Sequence, residues 1–450
     1  MLSLCMPAPQ RSVGYSAARI FKGSPMFIQT YFIQAAGQRQ NGSVNVTSRV
    51  VRICFEVLLS LLIGILGVGL AAAQCVSITS YGGNGNGTTN NSPALASAFA
   101  ALLTTNGGCI SFPGGKCLFS TAVTLSFPAI SPFSLTLAGA GADNTILYFP
   151  STPGISIKAL GAVQSSHIRD VTFSTGSTGQ VGLTLQNTQG TGADYGSDIS
   201  RTTFRGDDAG GTGTDYWGTG VNIAGQSNVN WDTVNFFGNT SATPFGAPTY
   251  GIGIALNGVP TDMNSPYSVI YNVAKCGFYW VGTGIVIGTY VQGIAITQTN
   301  FTNGVTGIYA EPNTPSSLFT LNELSVTGGN QFGVTGNSII IDQNLYNFIV
   351  NGNLFNVYES NSGIFFDFTG QNNTIVNNIF VADPSSTGGK GIYVGASTPN
   401  GVVSGNVFQS LDTGVYLGGT SGWNVQANSY LAVTHTVSGI GSNKVGVATQ

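Results

Sequence analysis

A short phrase returns through the second half of this chain: Asn353-Leu354-Phe355, Asn378-Ile379-Phe380, Asn406-Val407-Phe408 and Asn428-Ser429-Tyr430. Its aromatic members lie 25, 28 and 22 residues apart. A second phrase interleaves with it, as Gly307-Ile308-Tyr309, Gly363-Ile364-Phe365, Gly391-Ile392-Tyr393 and Gly414-Val415-Tyr416. Self-similarity at this period, written in short apolar alternations punctuated by Gly and Asn, marks a stacked solenoid. Each phrase is too short for a helix and alternates with a period of two, so each is a strand. Strands that return in the same order at every repeat build a parallel β-helix, an all-β solenoid in which residues one coil apart become neighbours. The anchors Phe173, Phe204, Phe236, Val273, Phe301, Val326, Phe355, Phe380, Phe408 and Tyr430 predict about ten coils over residues 151–432.

Composition agrees. Only 7% of the 450 residues are charged and 64 are Gly, with Val, Ile, Phe, Tyr, Thr, Ser and Asn making up much of the rest. So little charge with so many β-branched and aromatic residues excludes disorder and favours strands. The one continuous apolar run, Val57 to Ala73, follows Arg49 and Arg52 and ends in Ala71-Ala72-Ala73. A basic flank, a short apolar stretch and small residues describe a secretory signal peptide cleaved after Ala73, the alternative being a single membrane anchor. Residues 1–73 are therefore set apart as extension and signal, and the protein is expected to be secreted or on the cell surface, meeting a membrane only during export. The remainder carries eight basic and sixteen acidic residues, a net charge of −8. That balance, with no basic cluster, excludes a nucleic-acid partner.

Four cysteines follow the signal: Cys75, Cys109, Cys117 and Cys276. Export permits disulfides. Cys109 and Cys117 flank Phe112-Pro113-Gly114-Gly115-Lys116, so a bridge between adjacent strands joining these two is the first expectation. No CxxC spacing or nearby His supports zinc, and no metal is expected there.

Residues 74–150 read differently from the rest. A Gly/Asn loop from Tyr81 ends at Ser92-Pro93, where Ser92 can cap a helix from Pro93 to about Leu103. Strands at Cys109–Phe112, Cys117–Ser120 and Ser134–Leu137 follow, then Ala138-Gly139-Ala140-Gly141-Ala142. This order resembles the opening of the pectate-lyase-like superfamily, in its rhamnogalacturonase/epimerase-like and phage-tailspike branches. Asn90 and Asn91 stand where that pattern has an acidic pair. The resemblance implies a right-handed β-helix whose first coil is capped by the helix, and a cap answers a physical need, since a bare coil offers an open sheet edge. The tail 433–450 is Ser/Gly-rich and reads as frayed.

The Asn column is structural on this reading, because Asn stacked at a turn satisfies backbone groups of adjacent coils. Chemistry is expected elsewhere. If Ile308 and Ala310 point inward, Tyr309 and Glu311 point out. The next coils give Ile340 with Asp342, Phe365 with Asp367, Tyr393 with Gly395, and Tyr416 with Gly418. One outward column is thus nearly all aromatic (Tyr309, Phe365, Tyr393, Tyr416) and the other acidic (Glu311, Asp342, Asp367). Coils lie ~4.8 Å apart. Like charges so close push one carboxyl's pKa upward or attract a cation. Carboxyl pairs ~5 Å apart suit retaining glycosidases, and pairs ~6.5–9.5 Å apart suit inverting ones. Glu311, Asp342 and Asp367 are therefore candidate catalytic residues, beside a sugar-stacking wall of Tyr309, Phe365, Tyr393 and Tyr416. Solvated strand ends and aromatics beneath loops are the bland alternative.

A second candidate is the acidic loop Asp207, Asp208 and Asp215, near Arg201 and Arg205. It could do acid–base work or hold Ca2+, the one cofactor considered, and it could equally be a solvated turn. The Gly-His-Gly and Arg-x-Lys segments expected of polygalacturonases are missing, as is the calcium-plus-base arrangement expected of pectate lyases. His167, in Ser-Ser-His-Ile-Arg-Asp, and His435 read as incidental. Two functions remain: a glycoside hydrolase or lyase acting on a polysaccharide, or a non-catalytic adhesin, binding module or structural spike, for which a homotrimer would be natural.

Overall fold

The computed structural model describes residues 75–446, apart from 130–131, 162, 188–195, 209–213, 240–250, 259–267, 313–320, 368–369, 385, 387, 396–399, 419–421, 440 and 442. The signal segment 1–73 therefore lies outside the described residues, as does the Ser/Thr/Pro-containing stretch 241–249, which the coil spacing reads as an insertion. The chain is a parallel β-helix with three walls. One coil runs through Phe133–Ala138, Thr145–Phe149 and Ile155–Ala159, and the next through Gln164–Arg169, Thr172–Thr175 and Val181–Asn187. Each strand pairs in parallel with its counterparts one coil away. The third wall is a sheet of twelve strands from Val123–Ser126 to His435–Ser438. The first and second walls merge into one sheet of 26 strands, because Ser197–Gly206 and Val229–Phe237 run through the corner between them. They turn there through left-handed residues, Arg201 at φ 47° and Thr233 at φ 59°.

Burial explains both repeated phrases. Phe119, Phe149, Phe173, Phe204, Phe236, Phe278, Phe301, Phe332, Phe355, Phe380, Phe408 and Tyr430 form one column of stacked rings, with neighbouring centroids 4.7–6.2 Å apart. Ten of these rings fall within 151–432, as the spacing predicts. Two of the anchors differ: Val273 and Val326 belong to the first wall, and Phe278 and Phe332 hold the ring positions. Burying a Phe contributes ~1.5–3 kcal/mol, and an aromatic pair adds ~0.5–1.5. The glycine of the second phrase makes room for these rings. A Cβ at Gly391 would lie 2.5 Å from Phe408 Cδ1, and the same holds for Gly363 against Phe380 at 2.6 Å.

The Asn column is a buried ladder. Asn330 Nδ2 donates to Asn353 Oδ1 at 2.8 Å, and Asn353, Asn378 and Asn406 each donate to the next Asn at 3.0 Å. Each Oδ1 also accepts the backbone N–H one coil earlier, as Asn378 does from Asn353 at 3.0 Å. The corner's backbone needs are met inside the wall rather than by water.

At the N-terminal end the helix spans Ser92–Leu102, with Asn91 before it. Ser92 does not cap it: its hydroxyl donates to Thr121 O at 2.9 Å. Asn91 is fully buried, accepting from Asn84 N at 2.6 Å and donating to Thr89 O at 2.9 Å, so a neutral amide does what a carboxylate could not. Phe99 of the helix lies against Phe127 and Phe133 of the first coils.

The disulfide joins Cys75 to Cys109, with Cα atoms 4.4 Å apart, while Cys117 and Cys276 are free and buried. The expected Cys109–Cys117 bridge is thus corrected. Pro113-Gly114 turns a corner between walls rather than closing a hairpin, so its flanking cysteines enter different walls. Cys117 faces the core opposite Leu147, whereas Cys109 has Cys75 beside it, one residue before the Val76↔Ile110 pair. Strands His435–Ser438 and Lys444–Val445 continue the third and first walls beyond residue 432. No helix among the described residues is long and apolar enough to cross a membrane.

Candidate functional site

The third wall carries the two predicted columns. Register runs Val286↔Tyr309, Tyr309↔Ile340, Ile340↔Phe365, Phe365↔Tyr393 and Tyr393↔Tyr416. The alternating pattern buries Ile308 and Ala310 and turns Tyr309 outward. Phe365 stacks on Tyr393 at 4.7 Å and Tyr393 on Tyr416 at 4.9 Å, giving a flat, half-buried aromatic platform of three coils. Ile340 separates Tyr309 from it.

The acids follow directly on these strands. Glu311 N donates to Ile287 O, Asp342 N to Ala310 O and Asp367 N to Ile341 O, at 2.9, 3.0 and 3.2 Å. Glu311, Asp342 and Asp367 therefore stand one above another in three consecutive coils, with ~4.8 Å between backbones. Gly288 precedes them in register and Gly395 follows.

Their environments differ. Burial pushes the Asp342 carboxyl above the usual carboxylate range, and the Asp367 charge adds to the rise. The Tyr309 hydroxyl hydrogen-bonds Asp342 and opposes it. Tyr309 is in turn held above the usual phenol range, first by burial, then by the charges of Asp342 and Glu311. Asp367 is exposed and overhangs the next coil: a Cβ on Gly395 would lie 2.4 Å from its Oδ1. Asp342 is thus tied to the coil before it, and Asp367 reaches over the coil after it.

The acidic loop is described at Gly206–Asp208 and Thr214–Asp215. Lys116 Nζ lies 2.7 Å from the Asp207 carboxylate and 3.7 Å above the Tyr148 ring. Burial, then Asp208 and Asp207, push the Asp215 carboxyl upward. Asp208 Oδ1 and Arg205 Nε are buried without a hydrogen-bond partner. Arg201 is elsewhere, bidentate to Asp170 at 2.6 and 2.8 Å. Among the described residues no three His, Cys, Asp or Glu side chains converge as a metal site.

Lys116 and Tyr148 were not among the sequence candidates. A signal for this surface exists: the residue after each Phe of the ring column points away from the core, giving Ser174, which is itself covered, then Arg205, Phe237 and Tyr279, with Tyr148 opposite Ser174. Phe237 and Tyr279 stack at 5.1 Å. Alternation in the Gly-Ile-Tyr phrase points to the third wall alone, and this column belongs to the second.

No family model matches the sequence, and no curated protein matches it. Among solved structures the chain is similar to the A-module of mannuronan C-5 epimerase AlgE4 from Azotobacter vinelandii, at 14% identity and a TM-score of 0.44, over 83% of this chain and all of that one. It is similar to PfbA, a surface adhesin of Streptococcus pneumoniae, at 14% identity and a TM-score of 0.47, over 81% and 93% of the two chains. The Dettilon tailspike protein is similar at 15% identity and a TM-score of 0.45, over 81% and 70%. Likenesses this distant concern the course of the backbone, and any chemistry must be argued from this chain's own side chains.

Proposed function

We propose that this protein is an exported, polysaccharide-active β-helix enzyme: a glycoside hydrolase of the inverting type, with Asp342 as general acid and Asp367 as general base. The observation that carries the reading is the pair of unlike carboxyls in adjacent coils. A general acid must hold its proton, and burial beside the Asp367 charge shifts the Asp342 carboxyl in that direction. A general base must be ionised and reach water, which suits an exposed carboxylate. Asp342 bonding back to Tyr309 while Asp367 overhangs Gly395 favours a separation wider than one strand spacing, toward the ~6.5–9.5 Å that leaves room for a water in inverting enzymes. Phe365, Tyr393 and Tyr416 supply apolar faces on which sugar rings lie, and Glu311 accepts from sugar hydroxyls.

The test is incubation of the purified chain with a panel of neutral and weakly acidic polysaccharides, scoring new reducing ends and the ultraviolet absorbance of unsaturated sugars. Reducing ends alone are expected. Both signals together would replace hydrolysis with eliminative cleavage. Retention on a polysaccharide with neither signal would leave an adhesin or spike.

A further inference from the structure

Away from both acidic surfaces, on the first wall, three polar side chains meet. Ser165 and His167 are two positions apart on the strand Gln164–Arg169 and so share its outer face. Ser165 Oγ lies 3.2 Å from His167 Nε2. One coil on, Asp198 is directly opposite His167 in register, and its carboxylate contacts His167 Nδ1. A ring nitrogen facing a carboxylate carries the proton, which leaves Nε2 as an acceptor toward Ser165.

Ser165 also lines a cleft of about 360 Å³ with Pro132, Phe133, Ser134 and Val163, and this lining is almost wholly apolar. Val163, a β-branched residue, is held at φ 65°, a strained conformation of the kind that clusters at functional sites. Ser165 is only 5% exposed, whereas the His167 and Asp198 side chains are 30% and 41% exposed. A hydroxyl at the floor of an apolar cleft, with its base on the open side, is the disposition of an activated serine.

We propose that Ser165, His167 and Asp198 form a second active site, a serine esterase centre for carboxylic esters with a compact apolar acyl group. Ser165 Oγ attacks the acyl carbon while its proton passes to His167 Nε2. The ester C–O bond breaks, and the departing alkoxide takes that proton and leaves as the alcohol. Water then attacks the acyl-serine, giving a proton to His167; that proton returns to Ser165 as the carboxylic acid is released. Asp198 is a positioning residue that fixes the imidazole and stabilises its charged form. In the resting arrangement Ser165 Oγ donates to Ser134 Oγ at 3.0 Å. Rotation about one bond turns the proton to His167, and Ser134 can then donate to Ser165.

The experiment treats the full chain with a fluorophosphonate and with p-nitrophenyl acetate, using intact mass and peptide mapping to locate the label. One phosphonyl group on Ser165 is expected. Ser165→Ala should abolish both label and turnover, and His167→Gln should slow turnover by roughly a thousandfold or more. Ser134→Ala should leave the label on Ser165. Asp198→Asn should lower kcat with KM for the ester unchanged, a split that a merely structural role would not give. Thermal unfolding of each variant identifies any that fails to fold, and Asp198→Asn and Ser134→Ala keep the test open if Ser165→Ala does. An unlabelled wild-type chain, or a label that survives Ser165→Ala, overturns the proposal.

Discussion

Truncating one rung of the buried Asn ladder should cost far more than truncating a surface Asn of the same wall. Asn378 is fully buried. Its Nδ2 group donates to Val376 O at 2.9 Å, Val350 O at 3.0 Å and Asn406 Oδ1 at 3.0 Å, and its Oδ1 accepts from Asn353 N and Nδ2, both at 3.0 Å. In Asn378→Ala the buried Asn353 N–H loses its acceptor, an orphan worth ~1–3 kcal/mol, while the other lost bonds have a net worth of ~0.5–1.5 kcal/mol each. With four such bonds lost besides the orphan, the total is about 3 to 9 kcal/mol. Asn272 supplies the control, since it is exposed and its Nδ2 donates to Asn230 Oδ1 at 2.7 Å; Asn272→Ala should stay within ~0.5 kcal/mol. Coils contact mainly their neighbours, so the loss should be read locally, by hydrogen exchange at Asn353, as well as by urea unfolding. Exchange there should accelerate at least about a hundredfold in Asn378→Ala. Equal effects of the two substitutions would refute the claim that the ladder carries the corner.

Gly391→Ala should destabilise by about 1 to 3 kcal/mol, because its methyl would overlap the Phe408 ring within the aromatic stack. Phe408→Leu in the same chain should recover part of that, which a double-mutant cycle measures. Removing the disulfide by Cys75→Ser should cost about 3 to 4 kcal/mol for a 34-residue separation, whereas Cys117→Ser should leave the non-reduced Cys75–Cys109 peptide intact in mapping. The raised Asp342 carboxyl means that the folded chain binds its proton more tightly than the unfolded one. Stability should therefore fall as pH rises from the ordinary carboxylate range through the shifted value. Asp342→Asn should flatten that slope in unfolding measurements across acid to neutral pH.

The coil architecture was legible because its two causes are written at fixed intervals: a buried ring with a glycine to receive it, and a buried Asn at each corner. The acid and aromatic columns were legible for the same reason, since alternation in a strand of known inward face fixes what points out. Four features were not. The Cys109 partner was misread because a Pro-Gly turn in a β-helix moves the chain to another wall, and the true neighbour arrives from a strand 34 residues away. Val273 and Val326 stood in for Phe278 and Phe332 because two apolar strands of one coil compete for the same sequence interval. Lys116 and Tyr148 approach Asp207 across coils whose loops vary in length, and an irregular interval conceals such a meeting. His167 read as incidental for the same reason: Asp198 lies 31 positions away, and only the register brings the two together.

The most direct trial of the carboxylate column is the rate of reducing-end formation by wild type and Asp342→Asn on a polysaccharide that the wild type cleaves, with thermal unfolding recorded on the same samples. The expected rate is lower by roughly a hundredfold or more, with stability unchanged or raised, since a general acid has been removed and with it a carboxyl whose ionisation burial disfavours. Undiminished cleavage by a normally folded Asp342→Asn would contradict it.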